Sequence, residues 1–215
     1  MQSRTFVMGS VFALLAVLAG ALAYPHLPPM VPSHWNFHGQ VTGYLPRWTV
    51  PVLIPGIMVL LMALYAALPW LSPKQFEVTG FRTAYEFIIL AVLGFLMFVQ
   101  AFVIWAAVTG RTDMGHVVFA GVSLLLALIG SVLGQVRRNF YIGIRTPWTL
   151  ASPEVWDATH RWASRAFIVA GLVGFVLSLL IENPFVLLGV VLIPGIGSAL
   201  YSLVIYKHMQ QRGEI

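Results

Sequence analysis

Apolar residues run along this chain in six long stretches, separated by short polar segments rich in Pro, Gly and Trp. A helix needs about 20 consecutive apolar residues to cross the hydrocarbon core of a bilayer. The pattern therefore predicts spans near Thr5–Ala23, Val50–Trp70, Ala84–Thr109, His116–Gly134, Ala166–Ile181 and Pro184–Tyr206, the fifth being the shortest. Breakers mark the joints: Pro25, Pro28, Pro29 and Pro32 after the first span, Pro73 after the second, Gly110 after the third, and Asn183-Pro184 between the last two. Ala21-Leu22-Ala23 fits a small-residue cleavage pattern. The apolar run from Phe6 nevertheless outlasts the roughly 7–15 residues of a signal-peptide core, so the first span reads as a retained anchor. Leu53-Ile54-Pro55-Gly56-Ile57 recurs as Leu192-Ile193-Pro194-Gly195-Ile196, either as a parallel repeat or as two ordinary Pro-Gly kinks.

Composition agrees with the pattern. Of 215 residues, 59% are hydrophobic and 9% charged, against roughly a quarter charged in a soluble domain, and the mean hydropathy is +0.87. The expected fold is an all-α integral membrane protein: six transmembrane helices in one bundle, with a short amphipathic interfacial helix on the cytoplasmic side. Residues 1–70 form a two-helix unit around an outer loop at 24–49, and residues 71–215 a four-helix unit carrying a polar loop at 135–165. With both termini inside, ten of the twelve Lys and Arg fall on the cytoplasmic side and only Arg47 and Arg111 outside. That asymmetry follows the positive-inside rule. It accounts for the net charge of +5 through topology and anionic membrane lipid, with no call on nucleic acid. There is no Cys, which excludes disulfides, thiolate metal sites and Cys nucleophiles.

Two polar segments interrupt this pattern. The outer one, residues 24–49, combines prolines that favour extended backbone with turn-forming Gly39 and Gly43. His34 and His38 are four apart, with His26 nearby, but the segment has no Asp or Glu and a metal site needs at least three converging ligands. Trp35, Tyr44 and Trp48 read as interfacial anchors. The second segment, residues 139–161, gathers Arg145, Glu154, Asp157 and Arg161 beside His160. Ser152-Pro153-Glu154 is a helix start, with a capping hydroxyl, Pro at the first position and an acid in the first turn. On that helix Val155, Trp156, Thr159 and Trp162 share one side, and Asp157 and Arg161 stand at i,i+4 on another. In the strap before it, Arg145 beside Thr146 and Thr149 is placed to fork a carboxylate or phosphate, or to clamp a backbone carbonyl or lipid headgroup. Gln100 is the only strongly polar residue deep in a span, and Glu86 and His116 lie at span ends. No phosphate-binding glycine motif, HExxH zinc motif or cofactor signature occurs.

Taken together, Pro32-Ser33-His34-Trp35-Asn36, Gly39 and Gly43-Tyr44 resemble the amino-terminal domain of unknown function of SdpI-type membrane proteins. Asn139-Phe140-Tyr141-Ile142-Gly143-Ile144-Arg145-Thr146-Pro147-Trp148-Thr149-Leu150, with Val155-Trp156 and Thr159-His160-Arg161, is similar to the signature of the same family. The motifs keep the family's order, although Thr42 stands where the family often has Asp, and Gly130-Ser131 and Gly134 where it often has Gly-Asn and Pro. The resemblance implies a bacterial inner-membrane protein that confers immunity to a secreted antimicrobial peptide or signals its presence, without catalysis. It implies an outer recognition motif of His34, Trp35, Asn36, Gly39 and Tyr44. It also implies a cytoplasmic motif of Asn139, Gly143, Arg145, Thr146, Pro147, Trp148, Thr149, Trp156, His160 and Arg161, open to a cytoplasmic regulator. Read from the residues alone, a membrane-interface enzyme or headgroup binder built on Arg145, Asp157, His160 and Arg161 stays open, as does a lipid or peptide transporter. No cofactor is expected under any of these readings.

Overall fold

Each apolar stretch winds into one helix, because in hydrocarbon only a helix or a closed barrel satisfies its own backbone. The computed structural model describes residues 2–36, 39–111, 115–181 and 183–215. The helices are α1 (Gln2–Ala23), α2 (Leu53–Leu71), α3 (Arg82–Thr109), α4 (Gly115–Leu133), a single-turn α5 (Pro147–Ala151), α6 (Pro153–Leu180) and α7 (Pro184–Gln211). All but α5 are long and apolar enough to cross a membrane. The chain is an integral membrane protein built as a six-helix bundle. Six crossings put both termini on one face, the terminal face, and the 24–49 segment on the opposite, hairpin face. Trp70, 85% exposed at the end of α2, and Trp48, 58% exposed before it, mark the two interfaces.

Local chemistry sets the ends. Gly110, at φ +68°, takes the left-handed position that closes α3, its N–H bonding Ala106 O at 3.0 Å. The Asn183 side chain accepts from the N–H groups of Phe185 and Val186 to open α7, with Pro184 at a position that needs no donor. One boundary differs from expectation. The helix that starts at Ser152 does not stop to form a separate interfacial segment: α6 runs unbroken for 28 residues from its amphipathic turns into the fifth span. Nothing between Arg161 and Ala166 breaks a helix, so the polar turns and the apolar turns share one axis. The two Pro-Gly sequences also part company. Pro55 lies in the first turn of α2, where its missing N–H costs nothing, whereas Pro194 lies inside α7.

The 24–49 segment, expected to be extended, pairs with itself. Strand β1 (Met30–Trp35) runs antiparallel to β2 (Val41–Pro46), with irregular register on either side of His34. Arg47 pins the base of this hairpin: its backbone N–H bonds Pro29 O at 3.0 Å and its guanidinium lies 4.9 Å from the Tyr24 ring. At the tip, Gly39 adopts φ +75° and the Asn36 side chain bonds Gln40 in both directions at 3.0 Å.

Inside the bundle α1 packs on α2 and α3, and α4 packs most heavily on α6, which also carries α7. Small residues permit these approaches, as in other membrane bundles. Met62 lies over Gly9, Gly130 faces Ile168, and a Cβ on Gly171 would sit 2.5 Å from Ala127 N and 2.6 Å from Ser123 O. Those neighbours are backbone and cannot yield. Gly171→Ala is therefore expected to force α4 and α6 apart, at about 1–3 kcal/mol. It should lower the thermal midpoint in detergent, whereas Gly189→Ala, with nothing within 4 Å, should not. Equal midpoints would mean the helices are not in backbone contact. Gln100 ties the hairpin end of the bundle: its Nε2 donates to Val50 O at 2.9 Å and Ala16 O at 3.3 Å.

Candidate functional site

The terminal-face segment between α4 and α6 is held by buried polar groups that are nearly all matched. Asn139, fully buried, spends its whole hydrogen-bonding capacity on backbone. Its Nδ2 donates to Arg137 O (2.7 Å) and Ile142 O (3.0 Å), and its Oδ1 accepts from the N–H groups of Tyr141 (2.7 Å) and Ile142 (2.8 Å). Gly143 then turns at φ +119° directly over His160. Thr146 and Thr149 form a reciprocal capping box around Pro147, opening α5. The Thr149 hydroxyl also donates to Ile144 O at 2.8 Å, and the Thr146 hydroxyl lies 2.9 Å from that of Ser202 on α7.

Beneath the strap lie Trp156 and His160, both wholly buried and stacked at 4.0 Å with 15° between planes. Their i,i+4 spacing on α6 puts them one above the other. The Trp156 indole donates to Val136 O at 2.7 Å, which fixes the exit of α4. His160 Nε2 accepts from the Ile144 N–H at 3.0 Å, so Nδ1 carries the proton and donates to Trp156 O at 2.8 Å. Both ring nitrogens are committed to backbone. Such an imidazole is a buckle between strap and helix.

The four residues offered as an enzyme or headgroup site do not converge. Arg145 is exposed and its guanidinium donates to Phe140 O, the carbonyl-clamping alternative of the two left open above. Asp157 faces Arg137 at 3.5 Å rather than Arg161, and Arg161 is exposed with no polar partner among the described residues. Arg137 outcompetes Arg161 because the exit of α4 brings it alongside α6. Trp148 is half-buried, and Trp162, expected beside Trp156, turns outward to stack on Tyr201 at 5.3 Å. Sequence reasoning missed Val136, Ser202 and the partners that Glu86 and its neighbours find at the terminal ends of α2 and α3. There Glu86 meets Arg82 at 2.9 Å, and Tyr85 donates to Tyr65 O at 2.9 Å. The Ser198 and Ser202 pair, four apart in an apolar span and both fully buried, was the one available signal for the α7 contact.

On the hairpin face the structure splits the outer motif by exposure. His34 is exposed and Tyr44 is 55% exposed, while Trp35 packs its ring on Phe102 at 5.4 Å. The Trp35 Nε1 is buried with no hydrogen-bond partner among the described residues. A cavity of about 570 Å³ lies between the hairpin and the first turns of α4, lined by Ser33, His34, Trp35, Asn36, Thr42, Gly115, Val118 and Phe119. His38 lies outside the described residues. Among those described, no three His, Asp or Glu side chains approach closely enough to share a metal.

Two families match in the order their motifs stand. Residues 11–59, covering the second half of α1, the hairpin and the start of α2, match the Domain of unknown function (DUF1648), and residues 135–202, covering the strap, α5, α6 and most of α7, match the SdpI/YfhL protein family. The Immunity protein SdpI of Bacillus subtilis (strain 168) is 24% identical over 187 residues, 87% of each chain. No solved structure matches the chain. The two matches stand in order, residues 135–202 carry the pattern of the SdpI/YfhL protein family, and the aligned relative extends the likeness to SdpI-type membrane proteins over 87% of the chain.

Proposed function

We propose that this protein is a membrane immunity protein that protects a bacterium from a secreted antimicrobial peptide and reports the peptide's presence across the membrane. The observation that carries the proposal is the likeness, over 87% of both chains, to a protein named for immunity. The reading assigns recognition to the hairpin and output to the strap. A peptide arriving from outside meets the long aromatic hairpin first. Exposed His34 and Tyr44, the cavity of about 570 Å³ that His34 lines, and a Trp35 donor unmatched among the described residues supply the features of a binding hot spot. Trp35 and Asn36 also hold the hairpin's shape, so the informative substitutions are the exposed ones.

Cells carrying His34→Ala with Tyr44→Ala are expected to lose protection against the peptide while holding normal membrane levels of the protein. Cells carrying no copy should be fully sensitive. Undiminished survival of the double variant would remove the hairpin from recognition, and equal survival without the protein would remove immunity itself. Helix α4 is the direct link between the two regions. Its first turns line the cavity, and the carbonyl just beyond its last turn receives the Trp156 indole.

The same reading places both termini and the strap in the cytoplasm, on the ten-to-two distribution of basic residues. The native chain has no Cys, so a single introduced thiol is labelled without background. Glu154→Cys, at an exposed position, is expected to resist an impermeant maleimide in intact cells and to react after lysis. Labelling before lysis would invert the topology.

A further inference from the structure

Between α3 and α4, at the depth of the hydrocarbon core, the two halves of the bundle leave a groove of about 400 Å³. Gly94, Phe95 and Phe98 of α3, Gly121 and Leu124 of α4, and Phe175 of α6 form much of its wall, and every residue lining it is apolar. We infer that this groove is a lipid site that holds one acyl chain.

Four observations support that occupant. The spans set the groove among lipid tails, and its rim residues Leu124 and Phe175 are 49% and 38% exposed. Its volume is within the roughly 300–1,000 Å³ of ligand sites and close to the bulk of a single acyl chain. A helix, at roughly 10–12 Å across with its side chains, does not fit, because the Phe98 ring lies against Gly121, where a Cβ would come within 2.4 Å, and narrows the space. Finally, Gly94 opens onto the groove: a Cβ there meets nothing within 4 Å, whereas the space at Gly130 and Gly171 is filled by neighbouring backbone. Glycine is a poor residue for the middle of a helix, and here its missing side chain leaves room for a chain to lie. The groove uses a face of α4 different from the one under the hairpin, since Gly115, Val118 and Phe119 point elsewhere on the helix than Gly121 and Leu124. The site is thus separate from the proposed recognition surface.

The test is photolabelling in vesicles of phosphatidylethanolamine and phosphatidylglycerol doped with a phosphatidylcholine that carries a diazirine on one acyl chain. Native mass spectrometry of the same protein in mild detergent runs alongside. The wild type is expected to be labelled several-fold more strongly on the α3 and α4 segments lining the groove than around Leu14 and Leu18, equally lipid-facing residues of α1 (58% and 47% exposed). It should also fly with one lipid retained. Gly94→Leu projects a side chain into the groove and should bring labelling down to the α1 level and strip the retained lipid, with an unchanged or raised thermal midpoint. Gly94→Ala is too short to fill the space and should keep both signals. Uniform labelling along all spans would overturn the site. So would labelling indifferent to Gly94→Leu, or loss of labelling in Gly94→Ala as well. A dimer that dissociates in Gly94→Leu, with no lipid retained by the wild type, would assign the groove to a second copy of the chain and refute the lipid.

Discussion

Gly143→Ala is expected to release the strap from α6 and abolish function in cells. At φ +119° the backbone lies where any side chain is strained, and an added Cβ would stand 2.3 Å from His160 Nε2 and 3.2 Å from the Trp156 ring. Strain of this kind costs about 1–3 kcal/mol. Pushing the imidazole away also strands the Ile144 N–H and the buried ring nitrogen it feeds, at about 1–3 kcal/mol for an unmatched group. The combined loss of about 2–6 kcal/mol falls on one short segment, so the strap should open before the bundle does. Hydrogen exchange read at residues 140–150 and the thermal midpoint together measure this. Gly110→Ala is the control: it has a positive φ of +68° but nothing within 4 Å, so it should show the strain without the collision. If the two variants fall by the same amount, the His160 buckle contributes nothing.

Asn139→Leu is expected to be nearly as damaging, for a reason that involves no collision. Its fully buried amide answers two backbone carbonyls and two N–H groups at once. Removing it leaves all four unmatched, and a buried polar group without a partner costs about 1–3 kcal/mol. Asn139→Asp separates the halves of this role. The carboxylate still accepts from Tyr141 and Ile142 but turns lone pairs toward the carbonyls of Arg137 and Ile142. Its midpoint should fall between those of the wild type and the Leu variant at neutral pH. An Asp variant as stable as the wild type would mean the two donated bonds carry no weight.

The spans were legible because apolar length is a direct readout of bilayer thickness. All six emerged, with α3 and α7 beginning or ending a few residues outside the predicted limits and α6 beginning well before its predicted start at Ala166. The cap at Ser152 was equally readable, since capping chemistry is local. Pairing was not. The hairpin carries two register irregularities and a Pro in each strand, which erases the two-residue alternation that announces a strand. The partners of Asp157 and Trp162 escaped for a related reason: each met a residue distant in sequence, where helical spacing offered a nearer but wrong neighbour. Asn139, Gly143 and His160 stood out by residue type. Their roles as knot, turn and buckle rest on atoms that only the fold brings together.

The unbroken course of α6 has a mechanical meaning. A helix of 28 residues is a rod about 42 Å long, at 1.5 Å per residue. Tilted by about 10° around its far end, such a rod sweeps its near end through about 7 Å. Trp156 and His160 ride on that near end. With no joint between lever and load, any reorientation of the fifth span inside the bilayer is delivered at full amplitude to the carbonyl of Val136 and the N–H of Ile144. The strap must then either follow the rod or let go of it.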